Sequence, residues 1–203
     1  MSSPNPDAAV PVKKQPDFGV PKRRRRWPYV AGVCLVLLLI GGGKWYHWIV
    51  TGRFLVVHKG HLYRSALMSP ERLRETCAEY GIRTVIDFRT QEDRAEAEEE
   101  ALEGSGVRHV HIPSNQVPPE EAVEEFLGIM DDPSNHPVLI HCTHGVGRTG
   151  VFTAIYRMEY QGWSNARARR EALIMAGFES FRKDTSKGEF LRNYTPRKAG
   201  PNE

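Results

Sequence analysis

Ten consecutive residues, His141-Cys142-Thr143-His144-Gly145-Val146-Gly147-Arg148-Thr149-Gly150, concentrate the reactive groups of this chain. They follow the apolar run Pro137-Val-Leu-Ile-His141 and lead into a segment with helical spacing. Glycines at 145, 147 and 150 let the backbone curl so that successive N–H groups converge into an anion nest. The positive end of the following helix points into the same nest. A thiol held there is stabilised as thiolate, with a pKa of ~3.5–7.5 in place of ~8.5. Arg148, six residues after Cys142, can return its planar fork to two oxygens of a tetrahedral dianion, which a lysine cannot do bidentately. One reaction class fits these parts. Cys142 attacks phosphorus as nucleophile, and the amides of Thr143, His144, Gly145, Val146, Gly147 and Arg148 hold the anion together with the Arg148 fork. The Thr149 hydroxyl is placed to donate to the sulfur and improve it as a leaving group. His141 orders the loop by hydrogen bonding.

Such a loop needs a strand before it, a helix after it and a sheet to hold both. Ligands in open α/β sheets bind beyond the carboxyl ends of the strands. Short strands are expected at 54–57 and 61–65, around the turn-like Lys59-Gly60, then at 82–88, 107–112 and 137–141. Helices are expected at 70–80, stopped by Gly81, at 91–103, from Pro118-Pro119 to 130, at about 148–161, and at 164–176 with Ser164 as N-cap. The alternation implies an α/β fold with a central, mostly parallel sheet flanked by helices. The acidic Glu96–Glu100 stretch reads as a solvated helix face, and Cys77 reads as a core thiol.

The ten-residue segment resembles the HCxxGxxR(S/T)G signature of the cysteine-dependent protein tyrosine and dual-specificity phosphatases, and matches it at every fixed position. Leu62-Tyr-Arg-Ser-Ala66 with Ser69-Pro70, and Thr84-Val-Ile-Asp-Phe-Arg89, are similar to the LYRSAxP and TVIDLR segments of the atypical dual-specificity group. Gln161-Gly-Trp163 looks like the turn after the post-loop helix of bacterial extracytoplasmic members. The resemblance implies the cysteine phosphatase fold and phosphomonoester hydrolysis through a cysteinyl-phosphate. It implies no metal or organic cofactor. The expected substrate is a phosphorylated protein, on tyrosine and/or serine and threonine, or a small phosphoester. Members that process inositol polyphosphates often carry lysines inside the loop. Thr143, His144 and Val146 bring no fixed charge, which tilts the expectation toward a monophosphate ester.

One departure stands out. Family enzymes place a general-acid aspartate upstream of the nucleophile. Asn115 occupies that position here, 27 residues before Cys142, and it cannot donate a proton as an acid. Another carboxyl could serve: Asp87, or Glu120 or Glu121. Asp87 has the simpler role of capping or pairing with Arg89. Alternatively the substrate is a non-protein one with a good leaving group, or the protein is a catalytically weak pseudophosphatase that binds phosphorylated partners. His109 and His111, and His141 with His144, raise a metal site, but no acidic or HExxH-type spacing supports one.

The formal charge of +3 on 203 residues suggests a nucleic-acid partner only until it is located. Lys13, Lys14, Lys22 and Arg23–Arg26 stand against Asp7 and Asp17 in the first 26 residues, leaving 21 basic and 23 acidic residues beyond. A basic-groove nucleic-acid reader is excluded on this count. Residues 1–26, with five prolines, read as a disordered basic tail. Residues 27–50 follow the basic cluster with a charge-free apolar run to Gly43, and are expected to form one transmembrane helix. The charge asymmetry then puts the N-terminus in the cytoplasm. Residues 51–203 would form a membrane-anchored phosphatase domain outside it, periplasmic in a Gram-negative cell, with a flexible end after 195. The sequence gives no oligomeric state.

Overall fold

A computed structural model describes residues 27–50 and 53–197. The tail expected to be disordered, 1–26, lies outside the described residues. The chain divides into two compact units after Gly42.

Trp27–Val50 forms one 24-residue helix, α1. Among the described residues, however, no helix is long and apolar enough to cross a membrane. The expected transmembrane helix over 27–50 is therefore corrected. Gly32, Gly41, Gly42 and Gly43 dilute the apolar character of this helix. The orientation expected from the charge asymmetry depended on this span.

The second unit contains a five-stranded mixed sheet of order β1-β2-β5-β3-β4. Its strands are β1 (Leu55–His58), β2 (Leu62–Ala66), β3 (Thr84–Asp87), β4 (Arg108–His111) and β5 (Val138–Cys142). The short Lys59-Gly60 turn makes β1 antiparallel to β2, and every other pairing is parallel. The remaining helices are α2 (Pro70–Tyr80), α3 (Glu92–Leu102), α4 (Glu120–Asp131), α5 (Gly147–Gln161), α6 (Asn165–Met175) and α7 (Ser186–Asn193). Ser69 and Ser164 cap α2 and α6 through their side chains, and Gly81 ends α2 in the left-handed region. α7 has no counterpart among the expected elements.

β3 and β5 sit at the centre, buried on both faces. Alternation along each strand therefore sorts residues between two layers. Val85 and Leu139 face Leu73 and Cys77 of α2 and Leu102 of α3. Ile86, Phe88, Val138, Ile140 and Cys142 face the larger core made by α4, α5, α6 and α7. Burial raises the Cys77 thiol pKa to about 12, which makes it inert packing. In the larger core Phe88 stacks on Phe152 at 3.8 Å, with Phe126 set edge-on to both. This cluster ties the residue after β3 to the first turns of α5, the helix that follows the cysteine loop. Phe88→Ala should cost ~3–5 kcal/mol of stability in urea unfolding. A loss below ~1 kcal/mol would show that the cluster collapses readily around the gap.

Candidate active site

The same alternation orients the loop. Cys142, the last residue of β5, points toward α5, whereas His141 points toward α3. Between Cys142 and Gly147 the backbone turns back on itself and presses against β2. Gly145 has φ +66°, and a Cβ there would lie 2.5 Å from both Ala66 N and Ser65 O. Only glycine meets both demands. The loop carbonyls turn outward to fixed donors. Leu67 N–H binds Thr143 O at 3.3 Å, Arg53 binds His144 O at 3.1 Å, and Arg64 binds Gly145 O at 2.7 Å. The amides turn inward. Burial alone would raise the Cys142 pKa, but the Thr149 hydroxyl and the N–H groups of Thr149, Gly145 and His144 overcome it and bring the pKa below its ordinary value. The buried Thr149 Oγ has no other partner among the described residues, so its proton is free for the sulfur. Arg148 anchors one nitrogen on Phe88 O at 2.8 Å and stays half-buried. No side chain caps the N-terminus of α5, which leaves its first amides to an anion.

Beneath the loop lies a buried charge network. Arg89 bonds Asp87 Oδ2 and Glu98 Oε2, each at 2.7 Å, and His141 Nε2 meets Glu98 Oε1 at 2.6 Å. Burial would raise the Glu98 pKa, yet hydrogen bonds from His109 and His141 and the charges of His141 and Arg89 bring it down to about 2. For His141, burial acts to lower the pKa, but Glu98 and Asp87 reverse this and raise it. Asp87 also accepts from Arg89 N–H and is fully buried. Asp87, Glu98 and His109 are the one grouping of metal-ligand types among the described residues. Both carboxylates are already committed to Arg89 and His141.

A family model described as DSP-PTPase phosphatase fused to NAD+ kinase matches residues 61–189. The chain belongs to this DSP-PTPase family. It is 34% identical over 112 residues to the dual specificity protein phosphatase TpbA of Pseudomonas aeruginosa, which covers 54% of this chain and 49% of TpbA. The chain thus spans about half the length of the curated relatives it matches first. Among solved structures, the catalytic core of the PP-IP phosphatase SIW14 from Saccharomyces cerevisiae, in complex with citrate, is similar with a TM-score of 0.58 and 25% identity. That match covers 70% of this chain and 85% of SIW14. A cysteine-to-serine variant of P. aeruginosa TpbA in complex with pTyr is similar with a TM-score of 0.52 and 27% identity, covering 66% and 79%.

Within this DSP-PTPase the residues singled out from sequence fall into two groups. Cys142, Thr143, His144, Gly145, Val146, Gly147, Arg148 and Thr149 form one loop and helix start. Asn115, Glu120 and Glu121 are exposed on the segment before α4 and on its first turn, while Asp87 is locked under the loop by Arg89. Gln116, beside Asn115, reaches the site. Its Oε1 accepts from Lys187 Nζ at 2.7 Å, and a Cβ on Gly147 would meet these two atoms at 3.2 and 3.3 Å. Sequence reasoning missed Gln116 and Lys187, and it read Glu98 as solvated, whereas Glu98 is only 7% exposed. The signal for Glu98 was present: Ala95, Glu98 and Leu102 share one helical face and all three are buried.

The depressed Glu98 pKa means that its ionised form stabilises the fold above pH 4.5, and that this contribution fades as pH falls toward about 2. Glu98→Gln should therefore lose about 3 kcal/mol at neutral pH. The gap to the parent chain in urea unfolding should close on acidification below 4.5. A gap independent of pH would contradict an ionised Glu98.

Proposed function

We propose that this chain hydrolyses phosphate monoesters of proteins, on tyrosine and/or serine and threonine, through a cysteinyl-phosphate on Cys142. The observation that carries the reading is the thiol itself, held below its ordinary pKa by inward amides and the Thr149 hydroxyl, with Arg148 on the same loop. The thiolate attacks phosphorus opposite the ester oxygen, forming the S–P bond as the P–O bond breaks. The loop amides and the free edge of the Arg148 fork take the charge on the equatorial oxygens. Water then attacks phosphorus and displaces the sulfur, which the Thr149 O–H stabilises as it leaves. The TpbA–pTyr complex supports an aryl phosphate as substrate.

A second reading concerns the substrate and rests on Asn115. A substrate whose leaving group is itself a phosphate needs little protonation, and likeness to the PP-IP phosphatase SIW14 favours that class.

The test uses p-nitrophenyl phosphate, a phosphotyrosyl peptide and a small diphosphate in parallel. Cys142→Ser should abolish turnover of all three while retaining tungstate binding. Arg148→Lys should lower kcat/KM by about 10²–10³-fold, as expected for loss of one preorganised charge-stabilising group. Tungstate binding without turnover by the parent chain would reject catalysis in favour of a phosphate-binding module. A diphosphate preferred over the peptide would select the second reading.

A further inference from the structure

We propose that Lys187, oriented by Gln116, donates the proton that the departing ester oxygen needs. The proposal rests on the monoester reading above. The segment between β4 and α4, Ile112–Pro119, contains no carboxylate, so the position that should hold an acid is empty of one. What that segment does bring to the loop is the Gln116 carbonyl, and the carbonyl holds an ammonium group.

Three contacts fix that ammonium. Gln116 Oε1 accepts from Lys187 Nζ at 2.7 Å. Both atoms lie against Gly147, the first residue of α5, where a side chain would displace them. The Phe181 ring centroid lies 5.4 Å from Nζ, within cation–π range, and the same ring packs on Gly150. The helix carrying Lys187 is itself pinned. Thr185 caps α7 through Gly188 N–H, and a Cβ on Gly188 would fall 1.7 Å from Arg182 O. Lys187 thus sits at the mouth of the loop, close enough that the charges of Cys142 and Arg148 both act on it. Burial lowers its pKa and Arg148 adds to this, although the thiolate opposes them. The net effect makes the proton easier to give. The Gln116 bond uses one of three ammonium N–H groups, leaving donors to turn toward substrate.

The chemistry balances. As sulfur binds phosphorus and the P–O bond breaks, Nζ passes one proton to the leaving oxygen. A neutral amine and a free alcohol or phenol result. In the second step water attacks phosphorus, the amine takes one of its protons, and the S–P bond breaks to give phosphate, thiolate and the restored ammonium. Asn115 takes no part.

A leaving-group series of aryl and alkyl phosphates tests this, measured on the full chain as kcat/KM and by single-turnover burst. The parent chain should depend weakly on leaving-group pKa. Lys187→Met should lose about 10²–10⁴-fold on alkyl and phenyl phosphates, with the loss shrinking steadily as the leaving group improves. Lys187→Arg keeps the charge, but with a pKa above ~12 it cannot release a proton at neutral pH. It should fail on the same poor leaving groups. Gln116→Ala, which leaves the ammonium in place but unguided, should show the same trend with smaller losses. A uniform loss across the series, or rescue by arginine, would overturn the proposal and leave Lys187 as an anion-binding charge. No turnover by the parent chain on any ester would instead overturn the underlying catalytic reading.

Discussion

A peptide unit cannot turn its N–H inward without turning a carbonyl outward, and the architecture around Cys142 follows from that constraint. Amides that converge on an anion send their partner carbonyls away from it. A buried carbonyl without a donor costs ~1–3 kcal/mol. Three successive carbonyls here have a donor from outside the loop: Leu67 N–H for Thr143, Arg53 for His144 and Arg64 for Gly145. Arg64 matters most because it is buried and charged. Burial lowers its pKa to about 10, still far above neutrality. The end of β2 therefore acts as a template for the loop, and Gly145 is the residue that allows the approach.

The network under the loop solves a second problem on the opposite face of the same strand. His141 must be buried because β5 is central. Its protonated form is stabilised by Glu98, which Arg89 holds in turn while Asp87 holds Arg89. A buried ion cluster of this kind contributes less to net stability than to geometry, since desolvation offsets much of the attraction. Here it sets the direction of the strand end from which Cys142 projects. β3 joins both systems: Asp87 and Arg89 belong to the network, and the carbonyl of Phe88 between them receives Arg148.

Local signals made most of this readable. The strand–loop–helix junction, the capping serines and Gly81 all act over a few residues, and each element they mark is present. The failures are of two kinds. Some depended on which side of an element the fold covers: Glu98 looks like its acidic neighbours Glu96, Glu99 and Glu100, and only the packing of α3 on the sheet separates it. Others depended on contacts distant in sequence. α7 has a glycine in its first turn, a poor helix former, and Gly188 is required there by the carbonyl of Arg182. Lys187 meets Gln116 across 71 positions, which no local pattern could disclose. The apolar run of α1 also proved an insufficient signal: among the described residues no helix is long and apolar enough to cross a membrane.

Distant contacts also change what the composition of the loop says about its ligand. Thr143, His144 and Val146 carry no fixed charge, so the loop taken alone suits a singly phosphorylated substrate. The folded site draws its cations from elsewhere: Arg64 from β2 below and Lys187 from α7 above, in addition to Arg148. They are concentrated within a chain whose residues after 26 have more acidic than basic side chains. On the proposed function, attraction of a phosphoester is then a local effect, strong where these cations are partly buried and screened beyond about 8–10 Å at physiological salt. Such a field rewards a ligand that reaches the loop and does little to gather one from a distance. On the proposed function, discrimination between substrates arises beside the loop, where Gln116 and Lys187 lie against Gly147.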